Sequence, residues 1–194
     1  IMMCTSSVQE VMDLAAIAHL VTVKARIPFI HFFDGFRTSH EIQKIEMIDL
    51  DKVGALMDCK ALEEYHQIAM NPEHPLHRTT VQGPDVYYQT LEANNSIYNE
   101  VPIMVENYME DINKITGRDY HIFNYYGAQD ADRIIVMMGS ACDATKEVVD
   151  YLMSKGEKVG LLQIHLFRPF NMQYFLQSIP LTVKKITAMD RSRE

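Results

Sequence analysis

The stretch Ile27-Pro-Phe-Ile-His-Phe-Phe-Asp-Gly-Phe-Arg-Thr-Ser-His-Glu41 decides the fold. The apolar run Ile27–Phe33 stops abruptly at Asp34-Gly35, and Arg37, Thr38, Ser39, His40 and Glu41 follow at once. A near-continuous apolar run bounded by a tight turn reads as a strand buried on both faces, as a parallel sheet requires. Sites in α/β proteins gather at the carboxyl ends of such strands. Asp34, Arg37, Thr38 and His40 are therefore the candidate reactive residues. The bland reading of the same turn is an ion-paired, capped turn: Thr38 or Ser39 caps a short helix, Glu41 sits in its first turn and Arg37 pairs with Asp34.

Upstream of this strand lies a capping box, Ser7-Val-Gln-Glu10, with a hydroxyl at the N-cap and Glu three residues on. Apolar residues then recur at helical spacing, which predicts one helix over 7–26. Helix, strand and polar turn make half of an α/β layer. Downstream the pattern weakens. Asp49 or Asp51 caps a short helix over 52–57, and a second is expected over 60–70. Two prolines break the loop 71–78, and Val86-Tyr-Tyr88 reads as a brief extended piece. Helical spacing returns over 103–116, with Pro102 tolerated near the start and Gly117 past the end. Residues 118–129 read as a polar, aromatic connector that holds the domain boundary. Beyond it, 133–138, 157–166 and 184–189 read as strands separated by helices over 142–154 and 171–177. That alternation is βαβαβ, a parallel sheet with right-handed crossovers.

Composition narrows the function. The 194 residues are 47% hydrophobic and 23% charged, enough to bury a real core. A net charge of −8 argues against nucleic-acid binding, which needs a basic face. No apolar run is long enough for a transmembrane helix. Three scattered cysteines (Cys4, Cys59 and Cys142) fit reduced thiols in an intracellular protein rather than a disulfide scaffold or a metal knuckle. Among the histidines, none pairs as HxxxH or HExxH, and His74 and His77 lie in the proline-rich loop, so no metal site is expected. Gly139-Ser140 joins a strand to a helix N-terminus, where free N–H groups favour anions. It is a candidate cofactor contact, although Gly139-Ser-Ala-Cys142 is neither GxGxxG nor a P-loop. A tight turn that needs a small residue is the plainer reading.

The runs SSVQEVMDLAAIAH, IPFIHFFDGFRTSHEIQKIE, GPDVYYQTLEANNSIY, VPIMVENYMEDINKITGRDYHIFNYYGAQDADRIIVMMGSACD and KGEKVGLLQIHLFRPF closely resemble pyruvate:ferredoxin (flavodoxin) oxidoreductases, in one order and over nearly the whole chain. The resemblance implies an internal fragment. Residues 1–120 would end the N-terminal, pyrimidine-type thiamine diphosphate domain. Residues 121–194 would begin a domain like the C-terminal domain of transketolase. It further implies oxidative decarboxylation of pyruvate with coenzyme A to acetyl-CoA and CO2, with electrons passed to ferredoxin or flavodoxin. Thiamine diphosphate, Mg2+ and [4Fe-4S] clusters would serve a homodimer in the cytoplasm or an anaerobic organelle such as the hydrogenosome. The family's catalytic and cluster-binding residues fall outside this stretch, so the fragment alone is expected to be inactive and to hold no cofactor. Two alternatives stand beside this reading: the same enzyme fused to an NADP-reducing flavin domain, and a non-catalytic transketolase-like interaction module.

Overall fold

A computed structural model describes residues 1–75 and 81–190. The chain opens with a strand, β1 (Met2–Cys4), ahead of helix α1 (Val8–Ala25) and strand β2 (Ile30–Phe32). Ser7 caps α1 as its spacing predicts, accepting a hydrogen bond from the Glu10 N–H. β1 and β2 pair in parallel with α1 as the crossover, forming a βαβ unit. The β1 strand is a short run that periodicity does not reveal. A second expectation is corrected here. β2 is the outer strand of the three-stranded sheet β2-β1-β6, so its side chains are not buried on both faces. Ile30 is 58% and Phe33 40% exposed.

After a 3-10 turn at Thr38–His40 come two short helices, α2 (Leu50–Ala55) and α3 (Cys59–Gln67), capped by Asp49 and Asp58. His77 and most of the second half of the proline-rich loop lie outside the described residues. Helix α4 (Pro84–Thr116) then runs for 33 residues, straight through Pro102, and ends at Gly117 in the left-handed conformation. Val86-Tyr-Tyr88 is therefore helical, not extended. A proline inside a helix removes one hydrogen bond without forcing an end when packing on either side holds the backbone.

The connector also differs from expectation, for it carries strand β3 (Phe123–Gly127). The remaining elements are β4 (Arg133–Met137), α5 (Ala141–Ser154), β5 (Val159–Ile164), β6 (Leu166–Arg168), α6 (Met172–Gln177) and β7 (Lys185–Ala188). The second sheet has the order β3-β5-β4-β7. Its β5, β4 and β7 are mutually parallel as the βαβαβ pattern predicts, whereas β3 runs antiparallel on the edge. Gly127 faces Gly160 across β3 and β5, and a Cβ on Gly160 would lie 2.3 Å from the Tyr125 hydroxyl. The ring of Tyr125 thus covers a position that only glycine leaves open.

The fold is mixed α/β, and its core does not divide at the connector. One buried cluster joins Met3, Leu14, Ile17 and Val21 of the first half to Ile122, Ile134, Leu162 and Leu166 of the second. β6 completes this union by pairing antiparallel with β1, Met3 opposite Leu166.

Candidate functional site

The two groups of residues singled out in the sequence meet in space. Asp34 follows the carboxyl end of β2, and Gly139-Ser140 follows that of β4. The Ser140 N–H donates to Asp34 Oδ2 at 2.6 Å. Gly139 takes φ +82, and a Cβ there would stand 2.6 Å from the same oxygen, so glycine serves both the turn and the approach of the carboxylate. Asp34 thus occupies the donor position at the start of α5 where an external anion would otherwise sit.

The other candidates separate. Thr38 is buried and its Oγ1 donates to the Ser6 carbonyl at 3.3 Å, which ties the turn to the end of β1. His40 is exposed and stacks on Phe36 with ring centroids 5.3 Å apart, while Ser39 Oγ lies 2.8 Å from its Nδ1. Arg37 is exposed. The turn is therefore one anchored carboxylate, one buried hydroxyl tether and two side chains at the surface.

Next to it lies a buried polar group that the sequence does not advertise. Glu10 accepts from the Ser6 N–H at 2.6 Å and from Gln163 Nε2 at 3.1 Å, and His165 Nε2 stands 3.4 Å from its Oε2. His165 Nδ1 lies 2.7 Å from the His121 carbonyl, so the imidazole bridges Glu10 to the loop before β3. Burial pushes the Glu10 carboxyl up. The His165 hydrogen bond and charge, the Ser6 N–H and Gln163 outweigh that effect and bring it down to about 2. Ser6 Oγ extends the chain by donating to Asp143 Oδ1 at 3.3 Å. Asp13, fully buried on the same helix, accepts from the Tyr120 hydroxyl at 2.7 Å and pairs with Arg118 at 3.3 Å. The capping box hides this role, since its Glu reaches the N–H of Ser6 and continues to the second sheet. His165 is buried, and both its ring nitrogens have partners.

A third polar cluster lines an open cleft of about 480 Å3 between β3 and α6, bordered by Glu106, Asp119, His121 and Tyr174. Glu106 bonds His121 Nδ1 and also accepts from the Ile122 N–H at 2.9 Å. That bond raises His121 to about 9, with the Asp119 carboxylate adding to it.

Fit to the implied cofactors can be tested on these contacts. A diphosphate at Ser140 would have to displace the Asp34 carboxylate. An iron–sulfur cluster needs a set of converging thiolates. Cys4 and Cys142 are buried, and desolvation first, with nearby carboxylates, pushes both thiols up to about 12, while Cys59 is exposed on α3. No group of three His, Cys, Asp or Glu among the described residues is arranged to hold a metal ion. The residues of the Ser140 turn and the cysteines do not fit either group. What they do is join the two halves of the chain through hydrogen-bonded carboxylates.

Comparison with known proteins gives two family matches. The family described as pyruvate flavodoxin/ferredoxin oxidoreductase, thiamine diphosphate binding, matches residues 1–110, and pyruvate:ferredoxin oxidoreductase core domain II matches residues 131–194. The chain is 54% identical over 193 residues to a pyruvate-flavodoxin oxidoreductase of Enterobacter agglomerans, and 53% identical over 193 residues to a pyruvate:ferredoxin oxidoreductase of Moorella thermoacetica. Both alignments cover 100% of this chain and 16% of the relative, so the chain spans about a sixth of their length. Among solved structures, it is similar to a 2-oxoglutarate:ferredoxin oxidoreductase from Magnetococcus marinus, solved with 2-oxoglutarate, coenzyme A and succinyl-CoA bound. That likeness has a TM-score of 0.52 at 15% identity, over 96% of this chain and 34% of the other, and it concerns the fold.

Proposed function

The chain belongs to the pyruvate flavodoxin/ferredoxin oxidoreductase family, and from that membership we propose that it is part of an enzyme that oxidatively decarboxylates pyruvate. Coenzyme A takes up the acetyl group, CO2 leaves, and electrons pass to ferredoxin or flavodoxin. The observation that carries this reading is the pair of family matches, which follow one another along the chain. In finer terms, residues 1–120 end a pyrimidine-type thiamine domain and residues 121–194 begin a transketolase C-terminal-like domain, a division that falls in the gap between the two matches.

Thiamine diphosphate, Mg2+ and [4Fe-4S] clusters belong to the whole enzyme, and the reacting groups come from sequence outside these residues. Asp34 and Thr38 act here as positioning residues, and Gly139-Ser140 as the turn that receives Asp34. Arg37 and His40 present their side chains at the surface, where another part of the enzyme can meet them. A homodimer inside the cell, in the cytoplasm or an anaerobic organelle such as the hydrogenosome, completes the proposal. The relatives named above carry flavodoxin or ferredoxin in their names, which places that form ahead of the NADP-reducing fusion. Their identity over the full chain also leaves little ground for a non-catalytic module.

The test is anaerobic assay of the full-length protein. Acetyl-CoA should form, and ferredoxin or flavodoxin should be reduced, only when pyruvate and coenzyme A are both present. Reduction of NADP+ by the purified protein without a separate reductase would move the assignment to the fused form. No pyruvate-dependent electron transfer would overturn it.

A further inference from the structure

Helix α4 carries one apolar stripe along its whole length and buries only half of it. Tyr87, Leu91, Asn94 and Tyr98 alternate at spacings of four and three, and Val101, Val105, Tyr108 and Ile112 continue the same alternation. That is the a/d seam of a helix pair, with a single polar Asn in it of the kind that sets register. The second four are 0%, 0%, 7% and 0% exposed, packed in the core that α1 shares. In the first four, Tyr87 is 53%, Leu91 48% and Tyr98 37% exposed. Tyr88 and Ile97 flank the seam at 68% and 38%. Among the described residues, none of this half belongs to a buried cluster.

We propose that the exposed half of the seam, Tyr87 to Tyr98, is a docking face for a helix supplied by the same polypeptide outside residues 1–194. The proposal rests on the family membership only for the length of the parent, of which relatives carry about six times as much. Size argues for the tether. A helix of this span offers a strip about 18 Å long and about 10 Å wide, on the order of 200 Å2. A free-standing interface needs about 800 Å2 per partner. A face this small holds a partner stably only when covalent linkage raises its effective concentration, so self-pairing of two such strips from separate copies falls short. The docking helix is apolar along one seam, to match Tyr87, Leu91 and Tyr98.

The test is photo-crosslinking in the full-length protein with p-benzoylphenylalanine in place of Tyr88. The expected product keeps the mass of one polypeptide, and its crosslinked peptide maps outside residues 1–194 to a helix with an apolar seam. A product of twice the mass, a crosslink within residues 1–194, or no crosslink would each overturn the proposal. In parallel, Leu91→Asp in the full-length protein should speed amide exchange over 87–98 on the order of 100-fold and leave 101–112 unchanged. Equal exchange in both proteins would also overturn it. Neither readout depends on pyruvate oxidation, so the docking and the proposed activity fail separately.

Discussion

At the scale of single residues, one carboxylate and one imidazole set the pH behaviour, and their signs differ. Glu10 falls to about 2 in the folded chain, below its ordinary 4.5. Its contribution is therefore complete above about pH 4.5 and is lost as pH falls toward 2. His121 rises to about 9 from 6.5, mainly through its bond to Glu106. Its contribution is complete below about pH 6.5 and is lost as pH rises through 9. Denaturant unfolding across pH should show a plateau between these limits. Glu106→Gln should flatten the alkaline limb alone, and an unchanged limb would remove His121 as its cause. The thiols separate as sharply. Iodoacetamide at pH 8 should label Cys59 in the native chain and leave Cys4 and Cys142 unlabelled until denaturant is added, because buried thiols near 12 carry almost no thiolate. Peptide mass spectrometry reads the outcome directly.

At the scale of elements, α4 divides into two energetic regimes. Ile112→Ala should cost about 2–5 kcal/mol, the usual penalty for emptying a core position. Leu91→Ala in the isolated 194-residue chain should change stability by less than about 0.5 kcal/mol, because that side chain lies outside the buried core and about half exposed. Thermal or urea denaturation of the two variants checks both. The same helix explains one limit of reading structure from sequence. Local signals placed Ser7, Asp49 and Gly117 correctly, since caps act within one turn. Pro102 read as a helix start because its local chemistry is the same at a start and in an interior that packing holds. β3 stayed hidden for a related reason. Phe123-Asn-Tyr-Tyr-Gly127 lacks a buried-strand pattern, and it becomes a strand only by pairing with β5. At the candidate site, Asp34 and Gly139-Ser140 were legible separately as turn residues, but their contact across the two halves was not. Glu10, Gln163 and His165 lie too far apart in sequence for any spacing rule to join them.

At the scale of the whole molecule, the two family regions share one core, so the chain should unfold as a unit. Thiamine diphosphate should not shift that transition, and calorimetry should detect no binding to the isolated chain. Micromolar binding would overturn the expectation that the isolated chain holds no cofactor. The parallel sheet around β4 was visible in the alternation of apolar runs and helices. The sharing of a core was not, because it depends on a strand of three residues at one end finding a strand of three residues at the other.

That pairing has a consequence for how the protein is made. Of the described strands, β1 leaves the ribosome first and acquires β2 as a neighbour early. Its other edge stays open until Leu166 has emerged. At roughly 5–20 residues per second, the wait is on the order of ten seconds. During that interval Met3, buried in the finished protein, borders an unpaired strand edge in the nascent chain. Translation speed through the second half, and whatever shields that edge meanwhile, therefore governs the yield of folded protein.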